Sequence, residues 1–206
     1  MNTPTHVMIS LALLSKRGMD GQPTYILPSI AGAVLPDVAM FAFYGVEKFV
    51  LGNSEQEIWS ERYFLPQWQD IFDVFNSVPI LGIALAISLI ARRRGWVVLF
   101  LSMLLHVACD LPLHHDDGHR HFWPLRDWRF ASPVSYWDPN HYGGPAAVAE
   151  LVLFVGCYAW AMIKHQRLAI RIGLTLLAIA HLGLATLAIL LLSGWFGWDA
   201  VSTGPM

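Results

Sequence analysis

The sequence predicts an all-α fold, a polytopic bundle of membrane helices. Hydrophobic residues make up 55% of its 206 residues and charged residues only 14%, whereas charged residues are about 25% of an ordinary soluble protein. The mean hydropathy is +0.48, and several apolar stretches are long enough to cross about 30 Å of hydrocarbon as helices. We therefore expect about five membrane helices and a short N-terminal half-helix, in a single integral membrane domain over residues 1–206.

The predicted helices follow one another along the chain. The first apolar stretch, 5–14, is too short to cross a membrane, so we expect a half-membrane or interfacial helix there. The stretch 78–91 is also short, but the amphipathic run 71–75 extends it backward. The remaining spans have the full length for a crossing, or nearly so, and they are 25–46, 95–113, 146–163 and 172–195.

Basic residues indicate the orientation of these helices, because Lys and Arg in short connections mark the cytoplasmic side of a membrane. Three basic groups stand between predicted helices: Lys16 and Arg17, residues 92–94, and Lys164 with Arg167 and Arg171. Placing all three groups inside leaves the loops 47–77 and 114–145 outside. We therefore expect a multi-pass protein of a bacterial inner membrane, with the lipid bilayer as its partner and the His-rich loop on the outer side.

The charge balance and the cysteines argue against two other classes of protein. The formal net charge is −2, with 13 basic and 15 acidic residues, whereas a nucleic-acid-binding protein normally displays a basic face. Cys109 and Cys157 both lie inside apolar runs, which argues against a disulfide framework and against a cysteine-based zinc site. We expect no nucleic-acid partner.

Ionisable residues within the membrane segments are the first candidates for function, because a charged side chain in hydrocarbon is costly. These candidates are Asp37, His106, Asp110, Glu150 and His181, together with His6 on the half-helix. Counting about 1.5 Å per helical residue from the basic loops places all of them at similar depths. Residues far apart in the sequence therefore share one layer in the outer half of the bilayer, next to the loop that carries most of the other histidines.

His106 and Asp110 are four residues apart, so their side chains lie on one face of a helix, one turn from each other. An imidazole and a carboxylate placed in this way can bind one metal ion. The alternative is a hydrogen-bonded pair that ties two helices together. An unpaired carboxylate in an apolar helix would be neutralised or expelled, so either interpretation gives Asp110 a partner.

The segment that follows this pair is rich in metal-binding residue types. Residues 114–121 contain four histidines and two aspartates, and imidazole with carboxylate is a donor set that suits divalent transition metals. We take His114, His115 and His119 as candidate ligands, whereas the alternative is a solvated polar loop. Glu150, on a neighbouring helix, is a ligand, a general base or an interfacial carboxylate, and His181 is more simply a core histidine.

Three short motifs resemble a known family. They are Thr5-His6, Leu35-Pro36-Asp37, and His106-x-x-x-Asp110 followed by a Trp-Pro loop. Together they resemble the predicted membrane-bound, metal-dependent hydrolases of the YdjM type, which in turn resemble the zinc-dependent phospholipase C and nuclease group. The resemblance implies metal ligands at His6, Asp37, His106 and Asp110. Where that family usually carries a His-Ser dipeptide, this chain has Asn76-Ser77. The resemblance therefore implies that one metal position is weakened or is filled by another residue.

The leading hypothesis is therefore a metal-dependent hydrolase that acts on a phosphoester or lipid-like, amphiphilic substrate, with zinc as the expected metal. Asp110, Asp37 and Glu150 are the candidates for the general base. The alternative is a non-enzymatic metal-binding membrane protein that serves transport, sensing or assembly. A transporter needs polar residues leading to the cytoplasmic face, and the inner halves of the predicted helices show none.

The orientation leads to a first prediction. We expect Gly118→Cys to react with a membrane-impermeant thiol reagent on whole cells and Arg93→Cys to react only after permeabilisation, in a chain whose own two cysteines are replaced by serine. The positive-inside rule is the physical reason. Labelling at position 93 but not at 118 in intact cells would reverse the orientation.

Overall fold

The computed structural model confirms the all-α prediction. It describes the backbone of residues 1–17 and 23–195, with side chains for residues 1–16 and 24–183. Two strands of two residues each, Lys16–Arg17 and Pro23–Thr24, pair antiparallel after the first helix. The chain divides into two compact units, of which the first covers residues 1–164 and the second begins at His165.

Over the described residues the chain forms eight α-helices. They are α1 (Thr3–Leu14), α2 (Ile26–Gly45), α3 (Glu55–Ser60), α4 (Pro66–Asn76), α5 (Val78–Ile90), α6 (Arg94–Asp110), α7 (Gly143–Lys164) and α8 (Leu168–Trp195). Helix α2 continues as a π-helical turn over Val46–Val50, and α6 ends in a 3₁₀ turn over Leu111–Leu113. Two further 3₁₀ turns cover Arg62–Phe64 and Pro139–His141.

Within the described part of the chain, four helical stretches are long and apolar enough to cross a membrane. These are Ile26–Val50, Pro66–Ile90, Arg94–Leu113 and Gly143–Lys164, and each overlaps one of the predicted spans. The predicted half-helix is the 12-residue α1. The predicted last span lies on α8, whose part with described side chains is the short apolar helix Leu168–Gly183, and residues 184–195 of that prediction lie outside the described side chains.

The segment 47–77 differs from the irregular loop that the sequence suggested, because most of it is helical. Ser54 caps α3 by accepting a hydrogen bond from the Glu57 N–H, and proline occupies a first-turn position of α4, where its missing N–H costs nothing. Buried residues of this segment, including Phe72, pack with Phe43 of α2 in one apolar cluster. Aromatic burial against α2 therefore orders a stretch that looks polar in the sequence.

Residues 114–138 form no regular element, in agreement with the loop predicted over this stretch. Backbone hydrogen bonds hold the segment instead, since Ser132 N–H donates to the His114 carbonyl and Tyr136 N–H donates to the Leu113 carbonyl. Val78 N–H, at the start of α5, donates to the His121 carbonyl over 2.8 Å. The loop is thus tied both to the end of α6 and to the start of α5.

Helices α1, α2 and α6 meet at small residues. A Cβ atom added to Gly32 would lie 2.3 Å from the Leu99 carbonyl oxygen, so α2 and α6 touch backbone to backbone at this point. The buried Ser102 hydroxyl donates to the Ser29 carbonyl and lies 2.8 Å from the Ser10 hydroxyl. These serines carry no charge and are hydrogen-bonded to neighbouring helices, as is common between membrane helices.

The contact at Gly32 leads to a second prediction. Gly32→Ala should lower the thermal stability of the detergent-purified protein, because overpacking a close helix contact costs roughly 1–3 kcal/mol. Gly82→Ala is the matched control, since among the described atoms nothing lies within 4 Å of a Cβ added there and alanine favours a helix over glycine by about 1 kcal/mol. Equal unfolding temperatures for the two variants would contradict the packing argument.

Candidate metal centre

The side chains of His6, His106 and Asp110 meet where α1 packs against α6. The Nε2 atom of His6 lies 3.0 Å from Asp110 Oδ1, and the Nε2 atom of His106 lies 3.0 Å from Asp110 Oδ2. The two imidazole rings are stacked, with centroids 3.6 Å apart and an interplanar angle of 13°. All three residues are buried, so a single carboxylate faces two imidazoles away from water.

The backbone of α2 determines which nitrogen of His106 points at this carboxylate. His106 Nδ1 lies 2.8 Å from the Ala33 carbonyl oxygen, and because a carbonyl only accepts hydrogen bonds, Nδ1 carries the hydrogen. The Nε2 atom of the neutral ring then presents a lone pair to Asp110. A lone pair and a carboxylate repel each other at 3.0 Å, so a proton or a cation must lie between them.

His6 gives a second indication of a cation. Its Nε2 atom is buried and makes no hydrogen bond to any described group, although Asp110 is close. Buried polar atoms are nearly always partnered, and a metal ion would satisfy this one. One ligand atom from each of the three residues lies within 4.8 Å of the others, and two imidazoles with one carboxylate suit a divalent transition metal.

Asp37 lies at the edge of this group, on α2. Its Oδ1 atom is 3.5 Å from His106 Nε2, and its Oδ2 atom accepts a hydrogen bond from the Thr3 hydroxyl over 2.6 Å. The Asp37 carboxylate is partly accessible to solvent, with 23% of the side chain exposed. The Met1 amino group lies 2.8 Å from Asp110 Oδ1 on the same side of the group. The structure therefore brings together the four residues that the resemblance implies as ligands.

Glu150 makes contacts away from this group, with residues at the start of α1. Its Oε1 atom accepts hydrogen bonds from the backbone and side-chain amides of Asn2 and from the Thr5 hydroxyl, over 2.7–3.0 Å. These bonds fasten the start of α1 to α7. No described contact joins Glu150 to the histidines or to Asp110, so its role as ligand or general base stays a prediction.

The candidate ligands of the His-rich loop, residues 114–121, divide into two groups. His114 lies beside the centre, with Nε2 3.8 Å from Asp110 Oδ2 and Nδ1 3.0 Å from Asp117 Oδ1. The ring centroids of His119 and His114 are 6.2 Å apart. Burial lowers the pKa of His119 to about 3, so this imidazole is neutral at physiological pH. His115, in contrast, turns to the Ser132 carbonyl and makes no described contact with the centre.

Asp73 and Arg120 form a contact that sequence reasoning missed. Asp73 is fully buried on α4 and accepts from both the Arg120 backbone N–H and the Arg120 guanidinium, which also binds Asp70 and Asp127. The spacing contained a signal, because the buried face of α4 consists of Gln69, Phe72, Asp73 and Asn76, which is helical spacing with polar residues on the inward side. This clasp holds His119 in place beside α4.

A cavity of about 750 Å³ opens onto the centre. Asp37 and Asp110 form part of its wall, the loop adds further polar groups, and aromatic side chains complete it. The aromatic residues are Phe41, Trp59, Tyr63, Phe64, Tyr136 and Trp137. The described lining contains four aspartates, the Met1 amino group and two histidines but neither lysine nor arginine, so acidic groups predominate around the cavity.

No protein-family model, curated protein or solved structure matches this chain. The interpretation of the site therefore rests on its geometry.

The clasp leads to a third prediction. Arg120→Lys should lower the stability of the protein by roughly 1–3 kcal/mol, because lysine keeps the charge but cannot bond three carboxylates through one planar group. Thermal unfolding and limited proteolysis of the loop 114–141 would measure the effect. Arg126→Lys, on an exposed arginine of the same loop, is the control and should change neither, and an equal loss in both variants would contradict the role of the clasp.

Proposed function

We propose that this chain is a membrane-embedded, metal-dependent hydrolase that cleaves a phosphoester or lipid-like substrate. The observation that carries the proposal is the buried His6, His106 and Asp110 group beside a cavity of about 750 Å³ lined by aromatic and acidic side chains. Two features of that group are compatible with a cation: the buried Nε2 of His6 makes no hydrogen bond to any described group, and the Nε2 of His106 faces Asp110 with either a proton or a cation between them. Zinc is the divalent metal that this donor set suits first.

The residues of the centre have distinct roles in this proposal. His6, His106 and Asp110 hold the metal, and the Ala33 carbonyl keeps the His106 ring in the ligating tautomer, as is usual for metal-bound histidine. A divalent ion held there would supply Lewis-acid polarisation of an ester and would make a water molecule more acidic. Asp37 Oδ1 is placed to accept a proton at the open edge, since Thr3 orients the other carboxylate oxygen.

Asp37 is the better candidate for the general base than Glu150. A base must lie within hydrogen-bond reach of the reacting group, and Asp37 is both next to His106 and part of the cavity wall. Glu150 is buried and engaged with the start of α1. Asp110, the third candidate, is occupied as a ligand.

The cavity favours an amphiphilic substrate. Phe41, Trp59 and Phe64 line it and also expose about half of their surface, so apolar chains can enter along them. A phosphate would rely on the metal for charge balance, because the described lining contains four aspartates and neither lysine nor arginine. A lipid-like phosphoester meets both conditions.

The orientation and the family belong to the same proposal. The basic clusters support a bacterial inner-membrane protein whose His-rich loop is outside. The resemblance to the YdjM-type hydrolases is supported by the meeting of His6, Asp37, His106 and Asp110. The alternative, a metal-binding protein without hydrolytic activity, shares the centre and differs only in the absence of turnover.

The centre leads to a fourth prediction. His106→Ala should lower zinc affinity at least 10- to 100-fold, the loss typical even of a residue that only supports a ligand, and should abolish hydrolysis of a fluorogenic phospholipid in detergent. Elemental analysis after chelator washing measures the metal. His119→Ala, beside the centre but outside the three-residue group, should cost less in both assays.

Three outcomes separate the hypotheses. Loss of metal and of activity in His106→Ala supports the hydrolase. Loss of metal from a protein that has no activity on any phosphoester tested favours the non-enzymatic alternative. Equal metal content in wild type and His106→Ala refutes the metal centre and leaves a hydrogen-bonded pair between helices.

A further inference from the structure

A row of aromatic side chains is exposed on the loop 114–138. The ring centroids of Phe122 and Trp128 are 5.7 Å apart, and those of Trp128 and Phe130 are 6.2 Å apart. Together with Leu125, these residues expose between 37% and 73% of their surface. A contiguous apolar patch of this kind usually marks a surface that another molecule covers. Neither the candidate metal centre nor the described wall of its cavity includes these four residues.

Hydrogen bonds hold this patch at the junction of α4 and α5. The Val78 N–H donates to the His121 carbonyl over 2.8 Å, and the Ser77 hydroxyl donates to the Trp123 carbonyl. The other end of α5 leads into the basic residues 92–94, about 20 Å away, because α5 has 13 residues and a helix rises about 1.5 Å per residue. With those basic residues at one surface of a hydrocarbon layer about 30 Å thick, the junction lies in the opposite leaflet. The patch therefore faces lipid chains and the headgroups next to them.

Arg126 differs from the other two arginines of the loop, because no described group pairs with its side chain. The Arg120 guanidinium binds three carboxylates, and the Arg129 guanidinium donates to a backbone carbonyl and to a glutamine side chain. Asp127, which follows Arg126 in the chain, is bonded to Arg120. The Arg126 side chain is exposed, and within the described part of the chain its charge has no counter-ion.

Arg126 lies with two of the aromatic residues around a surface pocket. The pocket has a volume of about 330 Å³ and is lined by Phe122, Arg126 and Trp128. Its wall thus combines two apolar rings with one guanidinium, whose planar fork matches the oxygen atoms of a phosphate. A phospholipid offers both partners in one molecule, because its phosphate lies next to its acyl chains. Tryptophan is enriched at the headgroup level of membranes, and arginine reaches that level with its charged end.

We propose that Phe122, Arg126 and Trp128 form a binding site for one phospholipid of the surrounding bilayer. The Arg126 guanidinium holds the phosphate, and the rings of Phe122 and Trp128 contact the adjoining part of an acyl chain. The site is separate from the candidate metal centre, because the described wall of the large cavity includes none of its residues. A lipid bound here covers the exposed apolar patch and fastens the loop 114–138 to the membrane.

Native mass spectrometry of the detergent-purified, delipidated protein with added phosphatidylglycerol tests the proposal. Arg126→Gln should weaken binding of the lipid about 10-fold or more, because it removes the charge-assisted hydrogen bonds to the phosphate. Arg126→Lys keeps the charge without the planar fork and should bind with an affinity between those of wild type and Arg126→Gln. Trp128→Ala should also weaken binding, because it removes an apolar face for the chain. Arg93→Gln is the control, since it removes the same charge from an exposed arginine at the other end of α5.

Four results would overturn the site. The first is equal lipid affinity of wild type and Arg126→Gln, and the second is an equal loss in Arg93→Gln, which would mean a general attraction between basic residues and lipid. The third is a loss of diacylglycerol binding in Arg126→Gln as large as that of phosphatidylglycerol, since diacylglycerol has chains but no phosphate. The fourth is displacement of the lipid by inorganic phosphate at the same concentration, which would mean a site for a free anion. Should Arg126→Gln fail to fold, as judged by thermal unfolding, unchanged binding in Trp128→Ala overturns the site instead.

The lipid site stands or falls separately from the proposed function. A phospholipid bound as substrate in the large cavity should remain in Arg126→Gln, because Arg126 is not part of the described cavity wall, and the zinc content of this variant should equal that of wild type. A protein that hydrolyses nothing but loses one bound lipid in Arg126→Gln supports the lipid site. An active hydrolase whose lipid binding does not depend on Arg126 overturns the lipid site alone.

Discussion

The carboxylate of Asp110 imposes the constraint on which the rest of the structure depends. It is buried at the end of α6, in a segment long and apolar enough to cross a membrane, and removing an ionised group from water costs several kcal/mol unless partners compensate. Its two oxygens face His6 and His106, and His114 approaches from the loop. Helix α1 must therefore dock against α6, although it is too short to cross a membrane by itself.

Close contacts between small residues make that docking geometry available. Gly32 lets α2 touch the backbone of α6, and the serines at positions 10, 29 and 102 bond the three helices together. Within a membrane, helix association relies on such packing and hydrogen bonding because lipid is as apolar as the helices themselves. One turn away from Ser10 and from Ser102, the same helices present His6 and His106, so the serine contacts lie next to the candidate metal ligands.

The loop 114–138 is ordered by polar contacts rather than by secondary structure. Arg120 reaches Asp73 on α4, and Ser132 and Tyr136 bond the end of α6. The loop consequently presents one face to the cavity, through His114, and another to solvent, through His115 and His141. The buried His6, His106 and Asp110 group thus lies beneath an ordered loop and beside a cavity lined by aromatic and acidic side chains.

The sequence by itself determined the relations that lie within one helix. Hydropathy located the spans, and the four-residue spacing of His106 and Asp110 placed them on one face because a helix has a constant rise and turn. Counting residues from the basic loops was enough to predict that His6 and Asp37 lie at the depth of that pair. Only the tertiary structure decided the contacts between distant segments: the clasp of Asp73 with Arg120, the engagement of Glu150 with α1, and the division of His114 from His115. Side chains on different elements meet where packing brings those elements together, and that packing depends on many small contacts that no single stretch of sequence contains.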